Sequence, residues 1–171
     1  IVESPDVPTY DQQPEMSAPE VTDTATDTID TDDPDVLVLN YANPDMLGHT
    51  GNYEQTVKSI EFMDGCIREV IEAALPFSPD ILITADHGNA EEMVDEVTGE
   101  LNTAHTSNPV PIIIGQDCTS ISPGAQIQKV GTGEGAVERG ILADIAPTVL
   151  NLMGLEPGPD MTGIDLLSVG M

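Results

Sequence analysis

Three histidines serve a chain of 171 residues: His49, His87 and His105. Each stands beside residues that can share a metal ion with it. Asp45 and His49 lie four apart in Asn40-Tyr-Ala-Asn-Pro-Asp45-Met-Leu-Gly-His49. One helical turn or a tight loop brings such a carboxylate and imidazole to one ion. Asp86 and His87 are adjacent in Thr84-Ala-Asp86-His87-Gly-Asn89. Neighbouring side chains point to opposite faces of a regular strand. On a strand-ending turn they can face one way, and Gly88 permits that turn. His105 stands in Thr103-Ala-His105-Thr-Ser-Asn-Pro109, a loop before an apolar run. Mixed Asp and His ligands suit Mn²⁺ or Zn²⁺ rather than Ca²⁺. A lone histidine at a turn is ordinarily just solvated. These three differ in falling together at the expected ends of strands, while most of the acids read as surface charge.

The elements that must position them follow from periodicity. Val36-Leu37-Val38-Leu39 reads as a buried strand. Asn43-Pro44 and Gly48 mark a loop after it. A helix is expected from about Tyr53 to Leu75, with Val57, Ile60, Ile67, Val70, Ile71 and Ala74 as its apolar stripe. Asn52 suits its N-cap, with Gln55 three residues on. Glu54/Lys58 and Asp64/Arg68 are i,i+4 pairs in the favourable order. Pro76 and Pro79 end the element. Ile81 to Thr84 is a second short strand. Ala90 to Val94 is a helical turn and Asp95 to Asn102 a loop. Val110 to Ile114 is a third strand, where Pro111 suggests an edge or a bulge. Residues 115–139 read as loops with a strand at Gln126 to Val130. Asp144 caps a last helix with Pro147 in its first turn, an apolar face of Ile145, Val149, Leu152 and Met153, and Gly154 at C′. Residues 1–35, rich in Pro, Thr and acids, form a linker-like lead-in with a polar helix at Ser17 to Ile29. Strand, helix, strand is the pattern of a parallel sheet covered by helices, with ligands beyond the carboxyl ends of the strands.

The charge balance excludes whole classes of partner. There are 31 acids and 4 bases, a net charge of −27. Nothing here replaces the counterions of a nucleic acid, and an anionic membrane surface repels the chain. No run approaches the ~18 apolar residues of a spanning helix. The first residue is Ile, and no apolar leader follows it, so a processed chain or a piece of a longer one is expected, in the cytoplasm. The acids are spread along the chain, and such self-repulsion is relieved by salt, whose Debye length is about 10 Å at 0.1 M and about 3 Å at 1 M. A salt-rich cytoplasm is the expectation. Cys66 and Cys118 lack metal-like or redox spacing. Cys66 falls in the helical pattern as a small core residue.

The strings NYANPDMLGHTGNYE, ITADHGNAEEM, TAHTSNPVPIIIG and LADIAPTVLNLMGL closely resemble the cofactor-independent (2,3-bisphosphoglycerate-independent) phosphoglycerate mutases of the alkaline phosphatase superfamily. So does SPDVPTYDQQPEMSAPEVTD near the start, and the match runs in order along nearly the whole chain. The resemblance implies a three-layer α/β/α domain with a mainly parallel sheet, alkaline-phosphatase-like and here partial: the C-terminal portion, residues 1–171, of the metal-binding phosphatase domain. It implies two Mn²⁺ ions, with Zn²⁺ or another divalent metal as alternatives. Asp45, His49 and His105 match the ligands of the first ion, and Asp86 and His87 match two ligands of the second. The implied reaction interconverts 3-phosphoglycerate and 2-phosphoglycerate through a phosphoserine. The family's nucleophilic serine, a further Asp ligand and the Lys and Arg groups that hold substrate precede the part seen here, so the implied partner is that missing N-terminal portion. None of this chain's serines stands in the nucleophile's context, and its four basic residues lie outside the motifs. The chain alone is expected to be inactive, and a sheet lacking a strand has an open edge that invites pairing.

Three other readings stand beside this one. One is another phosphotransferase of the same superfamily, such as a phosphopentomutase or phosphodiesterase. Asn-Pro-Asp-Met-Leu-Gly-His and Ala-His-Thr-Ser-Asn-Pro favour the mutase over it. Another is a non-catalytic acidic metal-binding module, separated from the enzymes by turnover. The last is an acidic fold with no site, which predicts histidines titrating near pH ~6.5.

Overall fold

A computed structural model describes residues 1–116, 118, 128–130 and 140–168. They fall into two compact units. The first contains residues 1–79, 87–108 and 118, and the second contains 80–86, 109–116, 128–130 and 140–168.

The first unit is helical. Its helices are α1 (Ala18–Asp32), α2 (Asn43–Gly48) and α3 (Tyr53–Ala74), with short 3₁₀ turns at Tyr10–Gln12, Leu75–Phe77 and Ala90–Glu92. Pro19 is tolerated in the first turn of α1 because the amide it lacks has no intrahelical partner there. The threonines of α1 are weak helix formers. Thr22, Thr24, Thr28 and Thr31 turn their hydroxyls back onto carbonyls four residues earlier, at 2.7–2.9 Å. What holds α1 is its buried face, Ala18, Thr22, Ala25 and Ile29, packed against α3. Asn52 caps α3 as expected and accepts the Gln55 N–H at 3.3 Å. The Glu54–Lys58 and Asp64–Arg68 pairs form at 2.9 and 3.8 Å.

The phase of α3 differs from the apolar stripe. Thr56, Ser59 and Cys66 are buried, whereas Val57 and Ile60 are exposed. The buried hydroxyls are satisfied there, and Thr56 donates to the Asn52 carbonyl at 3.0 Å. The Ser59 hydroxyl donates to the Pro14 carbonyl at 2.6 Å, and the fully buried Asn43 amide donates to Pro14 and Glu15 carbonyls at 3.1 and 2.9 Å. These bonds tie the lead-in segment to α2 and α3, and no buried donor is left orphaned by them.

Val36 to Leu39 departs from expectation more strongly. The segment forms no strand, and Val38 is 85% exposed. No described strand pairs with it, and an apolar run without a ladder partner gains no strand geometry from its pattern alone. The expected loop at 43–48 is instead α2. Pro44 sits in its first turn, where proline starts a helix rather than breaking one.

The second unit holds a three-stranded sheet in the order β1-β2-β3, with β1 at Ile81–Thr84, β2 at Ile112–Gly115 and β3 at Gln128–Val130. Both pairings are antiparallel: Ile81 opposes Gly115 and Thr84 opposes Ile112, and Ile112 opposes Val130. A mainly parallel sheet was the expectation, and these strands correct it. A parallel pair needs a covering crossover, most often a helix. Between β1 and β2 the chain has only the Ala90–Glu92 turn, and it re-enters the sheet in the opposite sense. Pro111 lies just outside β2, which is the central strand, so the proline removes no ladder bond. The core of this unit is Ile112, Ile114 and Leu166, with Leu82, Ile145 and Leu152 against it. Helix α4 (Ile145–Leu152) ends as expected, with Gly154 left-handed at φ 69°. Its Met153 is exposed, and Pro147 and Thr148 are buried instead. Asp144 does not cap α4 with its side chain. Its carboxylate accepts the Ile141 and Ile164 N–H groups at 2.7 and 2.8 Å. Most of the expected loops at 115–139, and residues 126 and 127 of the strand expected at Gln126 to Val130, lie outside the described residues.

Candidate metal centre

Helix α2 explains why Asp45 and His49 meet. Asn43 and Leu47 face inward, both essentially fully buried. Residues 45 and 49, two positions on, occupy the opposite side of the same turn. The His49 N–H donates to the Asp45 carbonyl at 3.0 Å, so the turn that joins them is helical. His105 arrives on the loop 101–108. That loop is pinned by two isolated bridges, Val94 with Leu101 and Gly88 with Thr106.

The three side chains converge. His49 Nε2 lies 3.3 Å from Asp45 Oδ1, His105 Nε2 lies 3.0 Å from the same oxygen, and the two Nε2 atoms are 3.0 Å apart. Ligand atoms sharing an ion at about 2.1 Å stand about 3.0 Å apart in octahedral and about 3.4 Å apart in tetrahedral geometry. The triangle therefore has the size of one first-row divalent ion. The hydrogen bonding agrees. His49 Nδ1 lies 2.6 Å from the Thr103 carbonyl. A carbonyl only accepts, so Nδ1 carries the proton and Nε2 offers its lone pair to the triangle. The Asp45 side chain is one-third exposed, His49 39% and His105 49%. Three candidate ligands with a solvent-facing side match the open arrangement found around catalytic ions rather than a sealed structural one.

Asn89 supports the carboxylate. It is buried, and its Nδ2 donates to Asp45 Oδ1 at 3.0 Å. Its Oδ1 is buried without a hydrogen-bond partner, and it lies against Gly48, where a Cβ would collide with the Asn89 amide. Rotating the amide would point its oxygen at the Asp45 carboxylate, so the donor must face Asp45. Asn89 thus spends one buried acceptor to present a donor to the site.

His87 does not join this triangle. Its ring stacks on that of His105, with centroids 3.8 Å apart at 21°. It therefore packs against an imidazole of the triangle. Asp86 precedes it in the chain and belongs to the second unit. Sequence reasoning missed Asn89 and the Thr103 carbonyl. Asn89 was visible only as the residue two past His87, and a backbone carbonyl leaves no sequence signal.

The fold and this site define a metal-dependent enzyme class. Residues 1–157 match the family model described as the Metalloenzyme superfamily, and the chain belongs to that family. Within it, the chain is similar to the 2,3-bisphosphoglycerate-independent phosphoglycerate mutase of Pseudomonas entomophila, 49% identical over 168 residues that cover 98% of this chain and 30% of the relative. The protein of the same name from Pseudomonas aeruginosa strain UCBPP-PA14 is 47% identical over 171 residues, 99% of this chain and 30% of the relative. Among solved structures, Leishmania mexicana phosphoglycerate mutase at low cobalt concentration aligns with a TM-score of 0.74 and 27% identity, covering 95% of this chain and 30% of that one. The chain thus has an alkaline-phosphatase-like α/β fold in part, and it spans about a third of the length of the curated relatives it matches. No described helix is long and apolar enough to cross a membrane.

Proposed function

We propose that this chain is the metal-binding, C-terminal part of a phosphoglycerate mutase that interconverts 3-phosphoglycerate and 2-phosphoglycerate. Asp45, His49 and His105 hold one Mn²⁺, and Asp86 and His87 contribute to a second. The observation that carries this reading is the ion-sized triangle of Asp45, His49 and His105 in a chain whose relatives bear that name.

An ion held there supplies Lewis acidity, lowering the pKa of a serine hydroxyl and offsetting charge on phosphoryl oxygens. The chain's own residues prepare that site. Thr103 fixes the His49 tautomer, Asn89 orients Asp45, and His87 packs His105. The exposed side leaves room for a phosphate or an attacking hydroxyl. In the first transfer the substrate's O–P bond breaks as the serine O–P bond forms. In the second, the phosphoryl group returns to the other hydroxyl of the reoriented glycerate. The serine and the cations that grip phosphate and carboxylate belong to the remaining two-thirds of the protein. The chain's own described helix cations, Lys58 and Arg68, are engaged with Glu54 and Asp64 on α3. The acidic surface fits a salt-rich cytoplasm.

Equilibrium dialysis against Mn²⁺ in high KCl tests the first step. About one firmly held ion per chain, lost in His49→Ala, is expected. No specific Mn²⁺ in the wild type refutes the site. Interconversion of the two phosphoglycerates, followed by phosphorus NMR on the full-length protein, tests the second step. Metal binding without turnover in that protein leaves a non-catalytic metal module as the correct description.

A further inference from the structure

Two loops bring donors and imidazoles to the site. One carries His87 and Asn89, and the other carries Thr103 and His105. Their backbones meet at the Gly88–Thr106 bridge, where the Thr106 N–H donates to the Gly88 carbonyl at 2.9 Å. The side chain of Glu91 forms the rest of the junction. One of its oxygens accepts the Asn89 N–H at 2.6 Å. The other accepts the Thr106 hydroxyl and the Asn108 Nδ2 donor, the latter at 3.0 Å. Glu92 accepts from the same Asn108 amide at 2.9 Å. The three groups bonded to the Glu91 carboxylate are all donors, and only a carboxylate accepts at both ends. Burial disfavours its charge, yet the bonds from Thr106, Asn108 and the backbone outweigh that and hold its carboxyl below the ordinary glutamate value. The junction is also full, because a Cβ on Gly88 would collide with both the Glu91 carboxylate and the Thr106 hydroxyl.

The geometry points to Glu91 as a positioning residue of the metal site: by tying the Asn89 loop to the His105 loop, its carboxylate sets the spacing of Asp45 and His105 around the ion. This rests on the proposed metal site. Glu91 touches none of the three ligands. It holds the backbone of Asn89, whose side chain holds Asp45, and it holds Thr106, the neighbour of His105. One carboxylate thereby acts on two of three ligands from two segments. Changing such outer-shell partners typically costs about 10- to 100-fold in metal affinity.

The test titrates Co²⁺ into the full chain and follows its visible absorption, which reports ligand geometry, beside melting of the metal-free protein. Glu91→Gln turns an amide NH₂ toward a donor. It should weaken Co²⁺ about 10- to 100-fold and alter the absorption band. Thr106→Val removes one donor and should act in the same direction with a smaller loss. Glu91→Gln with wild-type affinity and an unchanged band overturns the inference. If that variant does not fold, Thr106→Val with wild-type affinity and band overturns it equally. A wild-type chain with no specific Co²⁺ band refutes the metal site itself. A wild-type band kept unchanged in the variants refutes Glu91 alone.

Discussion

Replacing Asn89 by alanine separates support of a metal ligand from support of the fold. The substitution removes the Nδ2 donor that reaches Asp45 Oδ1 at 3.0 Å. A hydrogen bond to a charged group contributes about 1.5–3 kcal/mol. It also removes Oδ1, which is buried and unpartnered. An unpaired buried polar atom costs about 1–3 kcal/mol. For the metal-free chain the two terms oppose each other, and what remains is the loss of packing in a small buried space. The expected change in unfolding free energy is about 1 kcal/mol or less.

For metal binding the terms do not cancel. Asp45 loses the donor that fixes its orientation, and the ion must then order a mobile carboxylate. The expected loss in Mn²⁺ affinity is about 10- to 100-fold, or about 1.4–2.8 kcal/mol. Isothermal titration calorimetry reads the affinity, and urea unfolding without metal reads the stability. Wild-type affinity in Asn89→Ala would refute the orienting role. A stability loss well above the affinity loss would show that Asn89 serves the fold and not the ion.

Gly48→Ala should act through the same amide. Its added methyl meets the Asn89 side chain, and overpacking of this kind costs about 1–3 kcal/mol. A variant more stable than wild type with unchanged Mn²⁺ affinity would contradict that. Burial raises the Tyr41 phenol above its ordinary value of 10.0, only partly opposed by its bond to the Thr22 hydroxyl at 2.8 Å. A folded pKa above the unfolded one means this stability is intact below pH 10 and is lost as pH climbs through the folded value. Tyr41→Phe should therefore lose stability less steeply above pH 10, and identical slopes in alkaline melts would refute it. Added KCl should raise the melting temperature, because it screens the repulsion of a net −27 chain. A flat or falling trend would count against the salt reading. Val38→Asp should change this chain's stability by less than about 0.5 kcal/mol, as exposed sites do. A drop of several degrees in the melting temperature would show that Val38 is covered.

Local signals in the sequence reported local structure well. The Asn52 cap, the Glu54–Lys58 and Asp64–Arg68 pairs and the left-handed Gly154 each depend on residues within a turn of one another. The Asp45–His49 pairing was legible for the same reason, since a spacing of four is one helical turn. The phase of α3 was not legible. Hydrophobicity marks what gains from burial, but bonds to the Asn52 and Pro14 carbonyls satisfy the hydroxyls of Thr56 and Ser59, which are buried while Val57 and Ile60 are exposed. Val36 to Leu39 carries a strand pattern, but pairing is non-local and no described strand pairs with it. Asn89 and Glu91 were hidden more deeply. Their partners lie 44 residues away at Asp45 and 15 and 17 residues away at Thr106 and Asn108. Their roles exist only once the loops have met.

In a chain with 31 acids, charge alone does not mark a ligand. The partners of each carboxylate do. Asp95 accepts the Thr98 and Val97 N–H groups of its own turn, both at 2.8 Å, and those bonds hold its carboxyl below the ordinary value. Asp144 is spent on the Ile141 and Ile164 N–H groups. Both carboxylates satisfy backbone donors that would otherwise go unpaired, which is structural work. Asp45 does something else. One of its oxygens faces an amide and two imidazoles, side chains that arrive from its own helix and from two separate loops. The partners of that carboxylate among the described residues are side chains. It instead gathers two imidazole nitrogens around one oxygen, and the Thr103 carbonyl holds one of those rings through its Nδ1. Backbone economy does not require that convergence, and its dimensions are those of a divalent-ion site.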